Sequence, residues 1–171
     1  MDTILQEARF DFVSDQNKAF ILAFNKEMNR LGYDFGGKIG SGNCWGKYMM
    51  IYTRVGVKSK AVYARIYMHD EGITLRLFLN NVDKHAGFIE KAPAYIKEMF
   101  TADDTICNHD RDDADGKCRS NFRRTYTIDG KLIEQCMPKT YNIPHPEIQK
   151  LPDYIALFVE FYQGKKAARR A

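Results

Sequence analysis

The sequence has little of several features that define particular protein classes. Its 171 residues include four cysteines, five prolines and one tryptophan, and no apolar run approaches the ~20 residues that span a bilayer. The N-terminal segment, residues 1–9, carries acids where a secretory leader has a basic stretch followed by an apolar one. We therefore predict a cytoplasmic protein with reduced thiols that does not enter membranes.

The body of the chain also lacks a net charge. Four of the 26 bases lie in the last seven residues, which contain no acid; the other 22 bases equal the 22 acids in number. Such a tail could contact a few phosphates and give salt-dependent affinity for nucleic acid. We favour the alternative of a solvated helix end, so nucleic acid is not the partner that we expect. The four basic residues of the tail are Lys165, Lys166, Arg169 and Arg170.

Helical spacing of apolar residues predicts three helical regions. The first begins after Ser14, a good N-cap, and ends at Gly32. The second begins at Asp83 and is kinked or restarted by Pro93, and the last has Pro152 in its first turn.

Alternation of apolar and polar residues predicts five strands. Three of them cover residues 48–53, 61–68 and 73–79, and the other two flank the turn Asp129-Gly130. Prolines 138, 144 and 146 keep the following stretch extended and exclude a central strand there. The order α-β-β-β-α-β-β-α predicts an α+β fold on an antiparallel sheet of about five strands. We expect one domain over residues 1–164 and a basic tail over residues 165–171.

The second and third strands form a hairpin whose register is well specified. Pairing Met68 with Ile73 puts the aliphatic residues on one face, whereas a slip of one residue would put them on both. Arg65 then lies directly opposite Arg76, where two cations repel each other. Guanidinium groups offer a fork of donors to carboxylates and phosphates, and aromatic rings beside them provide a flat platform. The candidate ligand-binding residues are Tyr63, Arg65, Tyr67, Arg76 and Phe78.

This face predicts a binding module for an anionic or aromatic small ligand, or for an acidic partner protein. Two alternatives stay open. The arginines could extend into water or pair with Asp70, Glu71 or Glu90. Alternatively, the second or last helix could cover the face, which would make the tyrosines core and the arginines its rim.

The spacing of cysteine and histidine residues is compatible with a zinc site, which is a second interpretation of the sequence. The pattern C-x-H-x8-C-x17-C supplies four zinc ligands, although no C-x2-C pair is present. Cys44 or His145 could equally be the fourth ligand, and the cysteines could instead be small apolar fillers. The candidate ligands are Cys107, His109, Cys118 and Cys136, which would make the chain a zinc-stabilised regulatory module.

Other motifs do not match a recognised ligand-binding or catalytic pattern. The acidic stretch 110–116 fails the calcium-loop register, and the glycine-rich stretch 36–47 fails the phosphate-loop pattern. We interpret the latter as a turn that lets Trp45 pack near the first strand. No histidine forms a known catalytic signature; a Cys136–His145 pair stays open, and a non-enzymatic role is favoured.

Several short motifs resemble those of a group of small bacterial proteins known mainly from Gram-positive anaerobes. They are residues 46–52 leading to 73–77, Glu90-Lys91-Ala92-Pro93, Cys107-Asn108, Cys118, and a Tyr-x-x-x-Gly segment ending at Cys136. The resemblance implies a bacterial cytoplasmic protein and carries no established activity. In that group Cys-Asn is followed closely by a second cysteine, whereas an acidic insertion separates the two here.

Overall fold

A computed structural model describes residues 3–58, 61–102, 123–136 and 140–162. Its α-helices are α1 (Asp15–Arg30), α2 (Ala86–Ile89), α3 (Ala94–Thr101) and α4 (Leu151–Tyr162). Its strands are β1 (Tyr33–Asp34), β2 (Gly40–Ser41), β3 (Tyr48–Arg54), β4 (Val62–His69), β5 (Gly72–Leu77), β6 (Arg123–Ile128), β7 (Lys131–Cys136) and β8 (Tyr141–Pro144).

The chain divides into two compact units. The first contains Met1–Phe78 and Tyr141–Ile155, and the second contains Leu79–Thr140 and Ala156–Ala171. The single domain expected over residues 1–164 stays a prediction. In the described ranges, no helix is both long and apolar enough to cross a membrane.

The first unit is built on an antiparallel sheet. Its strand order is β1-β3-β4-β5-β8, and β2 pairs with the same strand, β3, as β1 does. The hairpin β6–β7 forms a separate two-stranded sheet in the second unit. The predicted α+β class with an antiparallel sheet is therefore confirmed. Among the described strands, β8 pairs only with β5, which agrees with the exclusion of a central strand from this proline-containing segment.

Helix α1 begins and ends where its capping residues predict. The Ser14 hydroxyl accepts a hydrogen bond from the backbone N–H of Asn17, and Gly32 follows the helix with a φ of 84°. The apolar side of the helix packs on the sheet, where the Phe24 ring lies 5.2 Å from that of Tyr52. The sheet face toward α1 is thus the apolar core of this unit.

The hairpin β4–β5 supplies the centre of that core. Its aliphatic side chains lie on one face, and six of them have no exposed surface. Residue pairs such as Ile66↔Leu75 and Met68↔Ile73 have the register predicted from alternation. The six core residues are Ala64, Ile66, Met68, Ile73, Leu75 and Leu77.

The second unit packs its own hairpin against short helices. Asp129 and Gly130 both have positive φ, as a two-residue hairpin turn requires. The Tyr126 hydroxyl donates to the Phe100 carbonyl at 3.0 Å, and His85 Nδ1 lies 2.9 Å from Glu160 Oε1. The predicted Asp-Gly hairpin is therefore confirmed.

Candidate functional site

The two arginines of the candidate face lie opposite each other, as the register predicts. Arg65 of β4 pairs with Arg76 of β5, and Tyr67 pairs with Thr74. Just beyond β5, the Phe78 N–H donates to the Tyr63 carbonyl at 3.1 Å. This face of the hairpin is the one opposite the aliphatic core.

One hydroxyl group holds both guanidinium groups. Arg65 Nη1 donates to the Tyr67 oxygen at 3.0 Å, and Arg76 Nη1 donates to the same atom at 3.2 Å. These two bonds use both lone pairs of the hydroxyl oxygen and leave its own proton free to be donated. Arginine has no acceptor, and no other described residue accepts this proton.

Arg76 is a buried cation that contacts two aromatic rings. Its guanidinium carbon lies 4.0 Å from the centre of the Trp45 ring and 4.9 Å from that of Tyr67. Its Nε donates to Asn142 Oδ1 of β8 at 2.6 Å, and the residue is only 6% exposed. Cation–π contacts and two hydrogen bonds, to Asn142 and to Tyr67, thus fix the guanidinium plane.

Arg65 has fewer hydrogen bonds and ring contacts to described residues than Arg76 has. Its guanidinium carbon lies 5.2 Å from the centre of the Phe78 ring. Its Nε is buried and has no hydrogen-bond partner among the described residues. A buried donor left in this way costs about 1–3 kcal/mol of folding free energy.

No carboxylate of the described residues pairs with either arginine, so neither is neutralised by Asp70, Glu71 or Glu90. Asp70 instead pairs with Lys47. These contacts therefore bring the two guanidinium groups together at the Tyr67 oxygen, without a carboxylate of the described residues beside them. We call Arg65, Tyr67 and Arg76 the donor cluster.

The donor cluster is more buried than an open sheet face. Tyr67 is 1% exposed, so it belongs to the interior. Arg76 is buried as well and does not form a rim. Phe78 and Tyr63 are half-buried, and the Tyr63 ring packs edge-on against Tyr33 at 4.8 Å. Burial of the arginine follows from the aromatic side chains that stack on it.

Sequence reasoning missed two residues that contact Arg76. The sequence favours a turn over residues 36–47 that lets Trp45 pack near the first strand, and it gives no sign that the indole lies on Arg76 of β5. Asn142 lies directly opposite Arg76 across β5 and β8. A prediction of β8 as a paired edge strand would have been the signal for this second contact.

The loop that carries Trp45 packs closely against the sheet. Its Lys47 N–H donates to the Met68 carbonyl at 2.8 Å. A Cβ on Gly46 would lie 2.7 Å from that same carbonyl oxygen, and one on Gly42 would collide with the Gly46 backbone. Only glycine permits these approaches, so the loop holds the indole in a fixed place.

An open cleft of about 650 Å³ adjoins this loop. It is lined by residues of the 41–47 loop, including Trp45 and Lys47, and by His69, Asp70 and Glu71 at the end of the hairpin. The side chain of Trp45 therefore contacts Arg76 and also forms part of the cleft wall. His69 Nε2 lies 3.2 Å from the hydroxyl of Thr74.

The zinc and nucleic-acid predictions fall on parts of the chain that the structure does not describe. Cys107, His109 and Cys118 lie outside the described residues, as does the side chain of Cys136, which ends β7. The zinc site and the Cys136–His145 pair therefore stay predictions. Among the described side chains, no group of three or more His, Cys, Asp or Glu could hold a metal ion. The tail residues Lys165, Lys166, Arg169 and Arg170 also lie outside the described ranges.

Comparison of this chain with protein-family models, with curated proteins and with solved structures gives no match. The resemblance to a group of small bacterial proteins therefore stays a prediction. Functional inference for this chain rests on the chemistry of its own side chains.

Proposed function

We propose that this protein is a binding module whose donor cluster takes the oxyanion of a small carboxylate or phosphate ligand. The observation that carries the proposal is the convergence of Arg65 and Arg76 on the Tyr67 hydroxyl without a carboxylate among the described residues. Two cations held by one neutral oxygen repel each other, and the repulsion is stronger where water is excluded. An oxyanion would cancel that repulsion and accept several hydrogen bonds.

The unused donors favour the same ligand chemistry. The described residues supply no acceptor for the Tyr67 proton, for Arg65 Nε or for the second terminal nitrogens of the two arginines. Carboxylates and phosphates are rich in acceptor lone pairs, whereas a cationic ligand has none to offer. The cluster is therefore complementary in charge and in hydrogen bonding to an oxyanion.

The burial of Arg76 supports a small ligand over an acidic protein. With only 6% of its surface exposed, this guanidinium is out of reach of a flat protein surface. A small oxyanion needs far less open surface than a protein does to approach this residue. Arginine has no acceptor, so the two guanidinium groups act in this site only as hydrogen-bond donors.

The proposal is tested by thermal unfolding with inorganic phosphate, sulfate, acetate and citrate, each against chloride at equal ionic strength. We expect at least one oxyanion to stabilise the wild-type protein by several degrees at concentrations near 100 times its Kd. Arg76→Met should lose this shift, because it removes the buried charge while keeping a long apolar side chain.

Arg30→Met is the matched control. It makes the same change on helix α1, where Arg30 is exposed and pairs with Glu27, so the oxyanion shift should persist. Equal shifts in the two variants would contradict the proposal. So would the lack of any specific shift in the wild-type protein.

A further inference from the structure

The aromatic wall of the cleft indicates what else the ligand carries. Building on the proposed function, we infer that the oxyanion ligand bears an uncharged aromatic or heteroaromatic ring that stacks on Trp45 in the adjoining cleft. Trp45 exposes 55% of its surface although its ring contacts Arg76. One side chain therefore links the donor cluster with the space beside it.

Trp45 is held in place before any ligand arrives. The tight approach of Gly46 to Met68 and the hydrogen bond from the Lys47 N–H hold the chain directly after Trp45, and before it the Gly42 N–H donates to the Lys47 carbonyl at 3.2 Å. A tryptophan with more than half of its surface in water gives up much of the free energy that its burial would supply. A rigid, exposed indole is a stacking surface that loses little side-chain entropy on binding.

The charges of the cleft favour an uncharged ring. Lys47 is paired with Asp70, and Glu71 adds a further negative charge to the same wall. A second anionic group in the cleft would face these carboxylates, whereas a neutral ring would not. The volume of about 650 Å³ falls within the range of ~300–1,000 Å³ that is common for small-molecule sites.

The test compares phenyl phosphate with cyclohexyl phosphate by isothermal titration calorimetry, with inorganic phosphate and phenol as reference probes. At about pH 8 both esters are dianions, so they present the same charge and rings of similar size, but only one ring is aromatic. We expect phenyl phosphate to bind the wild-type protein about 3- to 10-fold more tightly than cyclohexyl phosphate, because of stacking. Phenol alone should bind far more weakly than either ester.

Variants of Trp45 assign the preference to this side chain. Trp45→Leu should bring the affinity ratio of the two esters close to one, and Trp45→Phe should retain part of the preference. Because the chain has a single tryptophan, indole emission should also change on titration with phenyl phosphate in the wild-type protein.

The outcomes separate this inference from the proposed function. Binding of both esters with equal wild-type affinity overturns the ring inference and leaves the donor cluster in place. A phenyl preference that Trp45→Leu retains overturns the assignment to Trp45. Failure of inorganic phosphate and of both esters to bind overturns the ring inference together with the proposed oxyanion site.

Discussion

The two faces of the β4–β5 hairpin are both buried at their centres, but they differ in how fully their polar groups are hydrogen-bonded. On the face toward α1, the aliphatic residues from Ala64 to Leu77 have no exposed surface and carry no polar side-chain atoms. On the opposite face Tyr67 is 1% and Arg76 is 6% exposed, yet both carry groups that need partners. Burial alone therefore does not distinguish the aliphatic face from the face that carries the donor cluster.

Hydrogen bonding does distinguish the two faces. The aliphatic face needs no partner beyond its own packing. The other face leaves Arg65 Nε without one among the described residues and joins two cations through one hydroxyl. A local arrangement that weakens folding and has no structural compensation is typical of a binding site. Four substitutions, taken from the largest expected effect to the smallest, test this contrast.

Leu75→Ala should have the largest effect on stability. Leu75 is fully buried between Ile66 and Ile143, so its truncation leaves a cavity and should lower the free energy of unfolding by about 2–5 kcal/mol. Urea denaturation measures the change, and phosphate affinity of the folded protein should stay as it was. A loss below about 1 kcal/mol would contradict a packed core on this face.

Tyr67→Phe should have the next largest effect and should act on both stability and binding. The change leaves two guanidinium groups without their shared acceptor, which costs about 1.5–3 kcal/mol. It should also weaken phosphate binding, measured by calorimetry. Tyr48→Phe is the control, since the rings of Phe10 and Phe12 that contact Tyr48 remain in place. Equal effects of the two substitutions would remove the special role of the Tyr67 hydroxyl.

Tyr52 allows the aliphatic face to be tested through pH. Burial raises the pKa of Tyr52 above its ordinary value of 10.0, because the charged phenolate would be desolvated. Above pH 10 the unfolded chain loses this proton first, so stability is complete below pH 10 and falls by up to about 1.4 kcal/mol per pH unit above it.

Tyr52→Phe should make this alkaline decline shallower. It should not abolish the decline, since burial also raises the pKa of Tyr33 and of Tyr154. The measurement is urea denaturation of both proteins between pH 9 and pH 11. Identical pH profiles would show that the Tyr52 hydroxyl is not buried as described.

Arg76→Met should have the smallest effect on stability. Replacing a buried, incompletely compensated charge with an apolar side chain of similar length is often neutral or stabilising, so we expect a change within about 1 kcal/mol. Urea denaturation of the variant and of Arg30→Met gives the comparison. A loss above about 3 kcal/mol would show that Arg76 serves the fold.

The sequence predicts those parts of the fold that depend on local signals. Helix α1, with its cap at Ser14, and the β4–β5 register follow from spacing and alternation. Strands β1 and β2 have two residues each, too few to show any period. Strand β8 is short and contains proline, so only its pairing with β5 identifies it.

For the same reason, the sequence predicts only the part of the candidate site that lies within one hairpin. Alternation was enough to place Arg65 opposite Arg76, because the two residues belong to one hairpin. The partner Asn142 is 66 residues from Arg76 in the chain. Trp45 reaches Arg76 only through the path of a glycine-anchored loop. Contacts between segments that are distant in the chain produce no periodic pattern in the sequence.

Calorimetric titration of the wild-type protein with inorganic phosphate, at fixed ionic strength, tests the oxyanion site most directly. We expect a saturable isotherm with one site per chain, which disappears in the double variant Arg65→Met, Arg76→Met and persists in Arg30→Met. An isotherm that the double variant retains, or no saturable heat in the wild-type protein, would contradict the account.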